Sequence, residues 1–331
     1  MNLTFYSPSF YPRVGGLEGF LEDLAHAMTA AGVHLTVITT TPSDTPDAFP
    51  FKVLRNPSFW RMVQEIRKAD YYVEVNVSLN GIPAWLFSGR PLIIIHQNLL
   101  HIGWRERLKQ YIADHWARLN IGCSDYVAQR YKNSLAIHNP YNDSFFSNTT
   151  PWDSRSKDLV FVGRLVSSKG IGVLIEALNL LHQEGLKLSL NVIGKGPEDL
   201  EMKKLASDLQ LDNFVSFRGE KPRHELTTLL NEHKVMVVPS ISKEGFGIVA
   251  LEGLACGCFV IVSDCGGLKE AVGASGFTFP VSDVEALAND IKKAYTDQVQ
   301  RTACLTAAPE HLSHHTRQYV AQKYIETIAR S

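Results

Sequence analysis

The feature that most constrains this chain is an alternation. Apolar segments of strand length alternate with amphipathic segments of helix length, and the pattern restarts once near the middle. A strand, a crossover helix and a second strand close into a βαβ unit with parallel strands, because a tight turn cannot join a parallel pair. A strand is expected over residues 3–6, then a loop over 7–16, a helix over 17–31 and a second strand over 35–39. In that helix Leu17, Phe20, Leu21, Leu24 and Met28 recur three and four apart, and Gly32 supplies a stop. Further strands are expected over 71–77, 92–96, 118–123 and 135–138, with a helix over 101–117.

Residues 139–157 break the pattern. Pro140, Asn142, Asp143, Ser147, Asn148, Pro151 and Ser154 crowd this stretch, which reads as an interdomain linker. Strands are then expected over 159–162, 188–193, 214–217, 235–238 and 259–262, with helices over 171–184, 226–232 and 248–255. The reading is therefore an α/β protein of two domains, 1–150 and 151–310, with a cleft between them. A tail over 311–331, apolar at helical spacing through Tyr319, Val320, Tyr324, Ile325 and Ile328, is placed back on the first domain. Ligands of open parallel sheets sit at the carboxyl ends of the strands, so the loops after strands carry the function.

Composition narrows the classes. The chain has 331 residues, long for one compact core. A formal net charge of -1 argues against nucleic acid as the main partner. No apolar run approaches the ~18 residues of a membrane span. The five cysteines are odd in number and include no Cys-x-x-Cys, so reduced thiols in a cytoplasmic protein are expected, with no disulfide framework and no zinc site.

Three strand-to-helix loops carry glycines, and helix starts offer free N–H groups to anions. Gly15-Gly16 lets a backbone approach a ligand closely, and equally makes a plain tight turn. Gly194-Lys195-Gly196-Pro197 is as ambiguous, and neither loop fits a dinucleotide or P-loop pattern. The loop from Gly163 to Gly170 places Arg164 and Lys169 near a strand end, where a planar fork and a point charge can clamp a pyrophosphate. Glu244 precedes Gly245-Phe246-Gly247-Ile248, and Glu252 follows among apolar neighbours. A carboxylate there needs donors, such as sugar hydroxyls.

These elements, in this order over most of residues 1–280, resemble the retaining glycosyltransferases of family four, glycosyl transferases group 1. The resemblance implies a GT-B fold: two Rossmann-like, doubly wound parallel-sheet domains facing a cleft. It implies transfer of a hexose from a nucleotide-diphosphate sugar, UDP being expected, to a glycan or lipid-linked acceptor in cell-surface polysaccharide or lipopolysaccharide synthesis. By the same resemblance Arg164 and Lys169 contact the donor diphosphate, Glu252 the ribose, and Glu244 the sugar hydroxyls. Backbone N–H groups of Phe246, Gly247 and Ile248 assist, with Gly163 in the phosphate loop and Gly15 and Gly16 reaching across. His96 lies near the reacting carbon, and Arg218 helps cradle the base. Gln97 stands where the family often carries an acid, and Cys258 where it often carries proline.

Retaining hydrolases use two carboxylates about 5 Å apart, one of them a nucleophile. The resemblance instead implies front-face attack, with Glu244 binding hydroxyls. No Asp-x-Asp occurs, so neither a metal nor a cofactor is expected, and the cations take the leaving group's charge. Two other readings stay open: a GT-B nucleotide-sugar epimerase, and a non-catalytic nucleotide-sugar-binding module. Residues 101–117 carry Trp104, Arg105, Arg107, Lys109, Tyr111 and Trp116, a composition suited to peripheral contact with the inner membrane face and equally to an exposed helix with core-facing aromatics.

Overall fold

The computed structural model describes residues 1–13, 15–99 and 103–331. Val14 and residues 100–102 lie outside the described residues, and with them the first two positions of the segment 101–117. The chain divides into two units, Met1–Pro140 with His315–Ser331, and Tyr141–His314.

The first unit is built on seven parallel strands: β1 (Asn2–Ser7), β2 (His34–Thr39), β3 (Lys52–Arg55), β4 (Tyr71–Val75), β5 (Leu92–His96), β6 (Leu119–Gly122) and β7 (Ser134–Ala136). Their order is β3-β2-β1-β4-β5-β6-β7. The central strands are buried along almost their whole length, as sheets covered on both faces must be. Helix α1 (Gly16–Ala30) follows β1. Helices α2 (Phe59–Lys68), α3 (Ile82–Leu86) and α4 (Trp104–His115) precede β4, β5 and β6, and the short α5 (Asp125–Ala128) precedes β7.

The second unit repeats the plan with six parallel strands: β8 (Lys157–Val162), β9 (Leu190–Ile193), β10 (Val215–Gly219), β11 (His233–Val238), β12 (Phe259–Ser263) and β13 (Gly276–Phe279), in the order β10-β9-β8-β11-β12-β13. Its helices are α6 (Ile171–Gln183), α7 (Asp199–Asp208), α8 (Arg223–Glu232), α9 (Ile248–Ala255), α10 (Leu268–Val272), α11 (Val284–Thr296) and α12 (Gln298–Ser313). Ile171, Leu174, Leu178 and Leu181 of α6 recur on one face and pack into the core with Leu159, Leu190 and Val192. Each such side chain contributes about 1.5–3 kcal/mol by leaving water. The last helix, α13 (Arg317–Arg330), belongs to the first unit and packs on α1, with the Phe20 and Tyr324 rings 6.4 Å apart.

The division falls earlier than the expected 150/151, because residues 141–156 are not a free linker. Asn231 accepts from the Thr149 N–H at 2.7 Å and donates to the Ser147 carbonyl at 3.0 Å. The Trp152 indole donates to the Lys234 carbonyl at 3.0 Å, and Arg301 lies 4.1 Å from its ring. Arg155 is 3% exposed. Its guanidinium donates to the carbonyls of Leu230 (3.1 Å), His233 (2.7 Å), Cys256 (2.6 Å) and Thr150 (2.8 Å).

A lysine cannot reach four carbonyls from one planar fork. Arg155→Lys is expected to lower the unfolding free energy by about 3 kcal/mol, since buried acceptors lose their donors. Urea denaturation measures this, and an unchanged midpoint would show that the segment is not held this way.

Candidate functional site

In both sheets the strand order reverses between the first and fourth strands of the unit. That places the topological switch points at β1/β4 and β8/β11, where parallel sheets open a crevice at the strands' carboxyl ends. The loops after β8 and β11 hold the sequence-predicted cation and acid positions.

Those two loops are joined by backbone. The N–H groups of Ile241 and Ser242 both donate to the Ser168 carbonyl, at 2.8 and 3.2 Å. Gly170 has φ 67, and a Cβ there would lie 1.9 Å from the Pro239 carbonyl oxygen, so only glycine permits this approach. The turn Ser167–Lys169 is a single 3-10 turn that ends in this glycine. As a result Lys169 is delivered to Glu244: its ammonium forms an ion pair with Glu244 Oε1, which also accepts from the Ser240 hydroxyl at 2.7 Å.

Glu244 is fixed from the other side as well. It forms an isolated parallel bridge with Gly266, and its carbonyl accepts from the Gly267 N–H at 3.0 Å. Gly266 has φ 67, and a Cβ there would stand 2.1 Å from the Glu244 carbonyl oxygen. The carboxylate is therefore set by three loops, not by its own rotamer alone.

Arg164 stands on the same β8 loop, exposed; its carbonyl accepts from the Val166 N–H at 3.0 Å, and its guanidinium makes no hydrogen bond or ion pair among the described residues. Its loop is braced: the Leu165 N–H donates to the Lys195 carbonyl at 3.0 Å. Glu198 accepts from the Ser167 N–H at 2.7 Å and from the Ser167 hydroxyl. Sequence reasoning missed this brace, because nothing in a lone glutamate after Gly-Pro marks its partner. Gly163 begins the loop, its N–H donating to the Ile193 carbonyl at 3.0 Å.

After Glu244 the chain buries Phe246 and turns at Gly247 into α9. Ile248 is the first helical residue, so the N–H groups at this start have no partner within the helix. Glu252 is half-buried four residues on, on the same helical face as Ile248. Phe246, Gly247, Ile248 and Glu252 thus follow directly on the Lys169–Glu244 pair. Arg218, at the end of β10, is held differently. Its Nε donates to Asn191 Oδ1 at 3.2 Å, and Asn191 in turn meets His233 Nε2 at 2.7 Å. His233 Nδ1 donates to the Leu229 carbonyl at 2.6 Å, and burial holds this imidazole down to about 4, hence neutral. The expected base-cradling arginine is therefore turned back along β9.

The remaining predicted residues are in the first unit. Gly15 precedes α1 in extended backbone with φ 176, and Gly16 opens the helix with free space where a Cβ would lie. Glu18 accepts from the Ser9 hydroxyl across this start. His96 is buried at the end of β5. Its Nε2 donates to Asn120 Oδ1 at 2.9 Å, and its ring stacks on Tyr131 with centroids 3.5 Å apart. Asn120 spends its own amide protons on the carbonyls of Ala113 and Lys132, both at 2.8 Å, which leaves only its oxygen for the imidazole. Burial lowers His96 to about 4, so it stays neutral.

Polar groups not singled out from the sequence gather at the end of this sheet. Asn76 Oδ1 accepts from the N–H groups of Gln97 and Asn98 at 2.9 and 3.1 Å. Gln97 and Asn139 exchange reciprocal amide bonds of 2.8 and 2.7 Å, which explains the amide at a position where an acid was expected: a carboxylate has no proton to donate. Glu74 is fully buried between β1 and the 76–81 loop, accepting from the Ser78 N–H at 2.9 Å and lying 3.1 Å from the Tyr72 hydroxyl.

The two parallel-sheet units are those of a GT-B fold, with a cation–carboxylate site at the second unit's switch point. The family model described as glycosyl transferases group 1 matches residues 143–311, just over half of the chain, and the chain belongs to that family. A putative colanic acid biosynthesis glycosyltransferase, WcaL, of Escherichia coli K12 is 28% identical over 179 residues, covering 52% of this chain and 44% of that protein. A D-inositol 3-phosphate glycosyltransferase of Corynebacterium urealyticum is 32% identical over 180 residues, covering 52% and 42%. The chain thus spans less than half the length of these curated relatives. Among solved structures, Anabaena Alr3699/HepE in complex with UDP and glucose superposes with a TM-score of 0.84 at 21% identity, over 100% of both chains. WaaG, a glycosyltransferase involved in lipopolysaccharide biosynthesis, gives 0.73 at 19% identity over 98% and 99%.

Burial raises Glu74 to about 8 from an ordinary 4.5, so the folded protein keeps a proton that the unfolded chain releases. Its contribution is whole below pH 4.5 and is lost as pH rises toward 8. Glu74→Gln keeps both hydrogen bonds without the proton. It is expected to match the parent near pH 4 and exceed it by on the order of 2 kcal/mol at pH 8 in denaturant titrations. Equal stability at both pH values would show that Glu74 is ionised in the fold.

Proposed function

We propose that this chain is a retaining hexosyltransferase that takes a sugar from a nucleotide-diphosphate donor, UDP-linked, and passes it to a glycan or lipid-linked acceptor in cell-surface polysaccharide or lipopolysaccharide synthesis. The observation that carries this reading is the Lys169–Glu244 pair beside Arg164 at the switch point of the second unit, inside the family-matched region. The names of the relatives and the UDP and glucose held by Alr3699/HepE support the substrate class.

In this reading Arg164 and Lys169 take the charge that grows on the departing nucleotide diphosphate. Charges aimed at a leaving group stabilise the transition state more than the ground state, and one such donor is worth ~3 kcal/mol of barrier. Lys169 exchanges Glu244 for a phosphate oxygen when donor binds, and Glu244 turns its freed oxygen to the sugar hydroxyls. The start of α9 at Phe246, Gly247 and Ile248 faces the donor with backbone N–H groups, Glu252 accepts from the ribose, and Gly163 keeps the phosphate loop low. Gly15 and Gly16 supply the open turn of the acceptor-side unit, and Arg218 reaches the base only after leaving Asn191. Attack comes on the leaving group's face, and a phosphate oxygen receives the acceptor's proton. No metal takes part, in keeping with the cation pair and the missing Asp-x-Asp. The same reading places the protein in the cytoplasm, and its five cysteines are buried.

Arg164→Ala and Lys169→Ala are each expected to cut turnover of UDP-sugar at least tenfold, with an unchanged circular dichroism melt, and EDTA is expected to leave wild-type turnover unchanged. Full activity in Arg164→Ala would remove its role, and epimerised donor without transfer would replace the transferase reading. In a thermal-shift comparison of UDP, GDP and ADP, UDP at about 100 times its Kd should stabilise by about 2.7 kcal/mol. A shift with GDP or ADP alone would reassign the base.

A further inference from the structure

Two polar side chains are set into the apolar sheet of the second unit, and both connect to Arg218. Asn191 of β9 is 7% exposed and stands between Leu190 and Val192, which point to the core on the opposite face. Its register partner on β8 is Val160, which pairs in turn with Met236 of β11, and both are fully buried. His233, at the start of β11, is fully buried as well. Asparagine is a poor strand former, and a polar group buried among such neighbours is costly unless it is hydrogen-bonded.

The bonds of this pair run in one direction. The Leu229 carbonyl only accepts, so Nδ1 carries the proton of the neutral His233 ring and Nε2 is left as an acceptor. The Asn191 amide nitrogen, 2.7 Å away, donates to it. That fixes which way the amide lies, and its oxygen is turned to Arg218 Nε at 3.2 Å. Exchanging the amide's two ends would set oxygen against Nε2 and a donor against the guanidinium. The imidazole therefore selects the end of Asn191 that Arg218 meets.

Arg218 is placed where such a contact matters. Where β10 pairs with β9, Phe217 lies opposite Val192 and Gly219 opposite Ile193, so Arg218 is the extra residue of a β-bulge at the sheet's rim. Bulges at rims re-aim side chains. The Gly219 carbonyl accepts from the Gly194 N–H at 2.9 Å, which ties this rim to the β9 loop. That loop meets the β8 loop in turn: the Lys195 carbonyl accepts from the Leu165 N–H, and a Cβ on Gly194 would lie 1.9 Å from the Gly163 carbonyl oxygen. Arg218 is thus joined through one loop to the loop that carries Arg164 and Lys169. It is exposed, and among the described residues its Nη groups make no hydrogen bond.

We propose that Asn191, oriented by His233, is a latch on Arg218: it holds the guanidinium back along β9 in the free protein, and Arg218 reaches a bound nucleotide only when this bond is broken. Asn191 and His233 are positioning residues that act through Arg218. The proposal rests on the reading of the second unit as a nucleotide-sugar site. When only a fraction of the protein is competent to bind, apparent affinity falls by that fraction, so removing the latch strengthens binding.

The test is isothermal titration of the full chain with UDP, or with whichever of GDP and ADP binds in its place, using wild type, Asn191→Val, Arg218→Ala and the double variant. Asn191→Val is expected to tighten binding roughly fivefold, the worth of one hydrogen bond. Arg218→Ala is expected to weaken binding, and Asn191→Val to change nothing once Arg218 is alanine. That dependence separates a latch from a packing effect, which would persist in the double variant. An unchanged or weaker Kd in Asn191→Val, or the same gain in both backgrounds, overturns the proposal and leaves the nucleotide-sugar reading standing. No binding of any of the three nucleotides to wild type and Asn191→Val alike would overturn that reading and this proposal together. If Asn191→Val does not fold, NMR of the wild-type protein with labelled arginine decides. The Arg218 Nε–H signal, missing from Arg218→Ala, should exchange slowly in the free protein and shift at saturating nucleotide. A signal that the nucleotide leaves unmoved overturns the latch.

Discussion

The Ser168 carbonyl, receiving two N–H groups from the β11 loop, is the contact on which the second unit's site depends. Two strands that are neighbours in the sheet but seventy residues apart in sequence end in loops that would otherwise move independently. Joined at Ser168, and pressed together where Gly170 meets Pro239, they bring an ammonium and a carboxylate into one ion pair. Glu198 braces the same turn from the β9 side, and Gly266 braces Glu244 from the β12 side. Four loops of one sheet thus converge on a single cation–acid pair, and Arg164 remains exposed on the β8 loop.

The first unit spends its buried polar groups differently. His96, Asn120, Gln97, Asn139 and Glu74 all find partners inside the unit, and the two with shifted titration are held neutral by burial. Such networks specify one packing of the sheet ends, because a partner lost in the interior leaves an unsatisfied group behind. The C-terminal residues join this network as well: His315 Nδ1 lies 3.0 Å from the Asn139 carbonyl, next to the point where the chain leaves the unit.

The sheets were legible because a strand buried on both faces is an uninterrupted apolar run, as in Leu92–Ile95 and Phe259–Val262. Elements at the margins were not. The edge strand β3 reads Lys-Val-Leu-Arg and is half-buried, and β13 is four residues of mixed exposure. Helix α2 turns Met62, Val63, Glu65 and Ile66 inward and Phe59 and Trp60 outward, so its apolar residues do not follow the expected face. Helix α12 buries only Cys304, Ala308 and Leu312 and contains Pro309, which hides its period. At the site, Lys169 and Glu244 were legible because glycines flank them. Glu198, Asn76 and Glu74 were not, since each matters through a partner that only the fold supplies.

A crystal structure of the protein with UDP tests the central claim most directly. The diphosphate oxygens should lie within hydrogen-bond distance of Lys169 Nζ and of the Arg164 guanidinium, with Glu244 released from Lys169. An ordered diphosphate bound anywhere else, with the Lys169–Glu244 pair intact, would contradict the account.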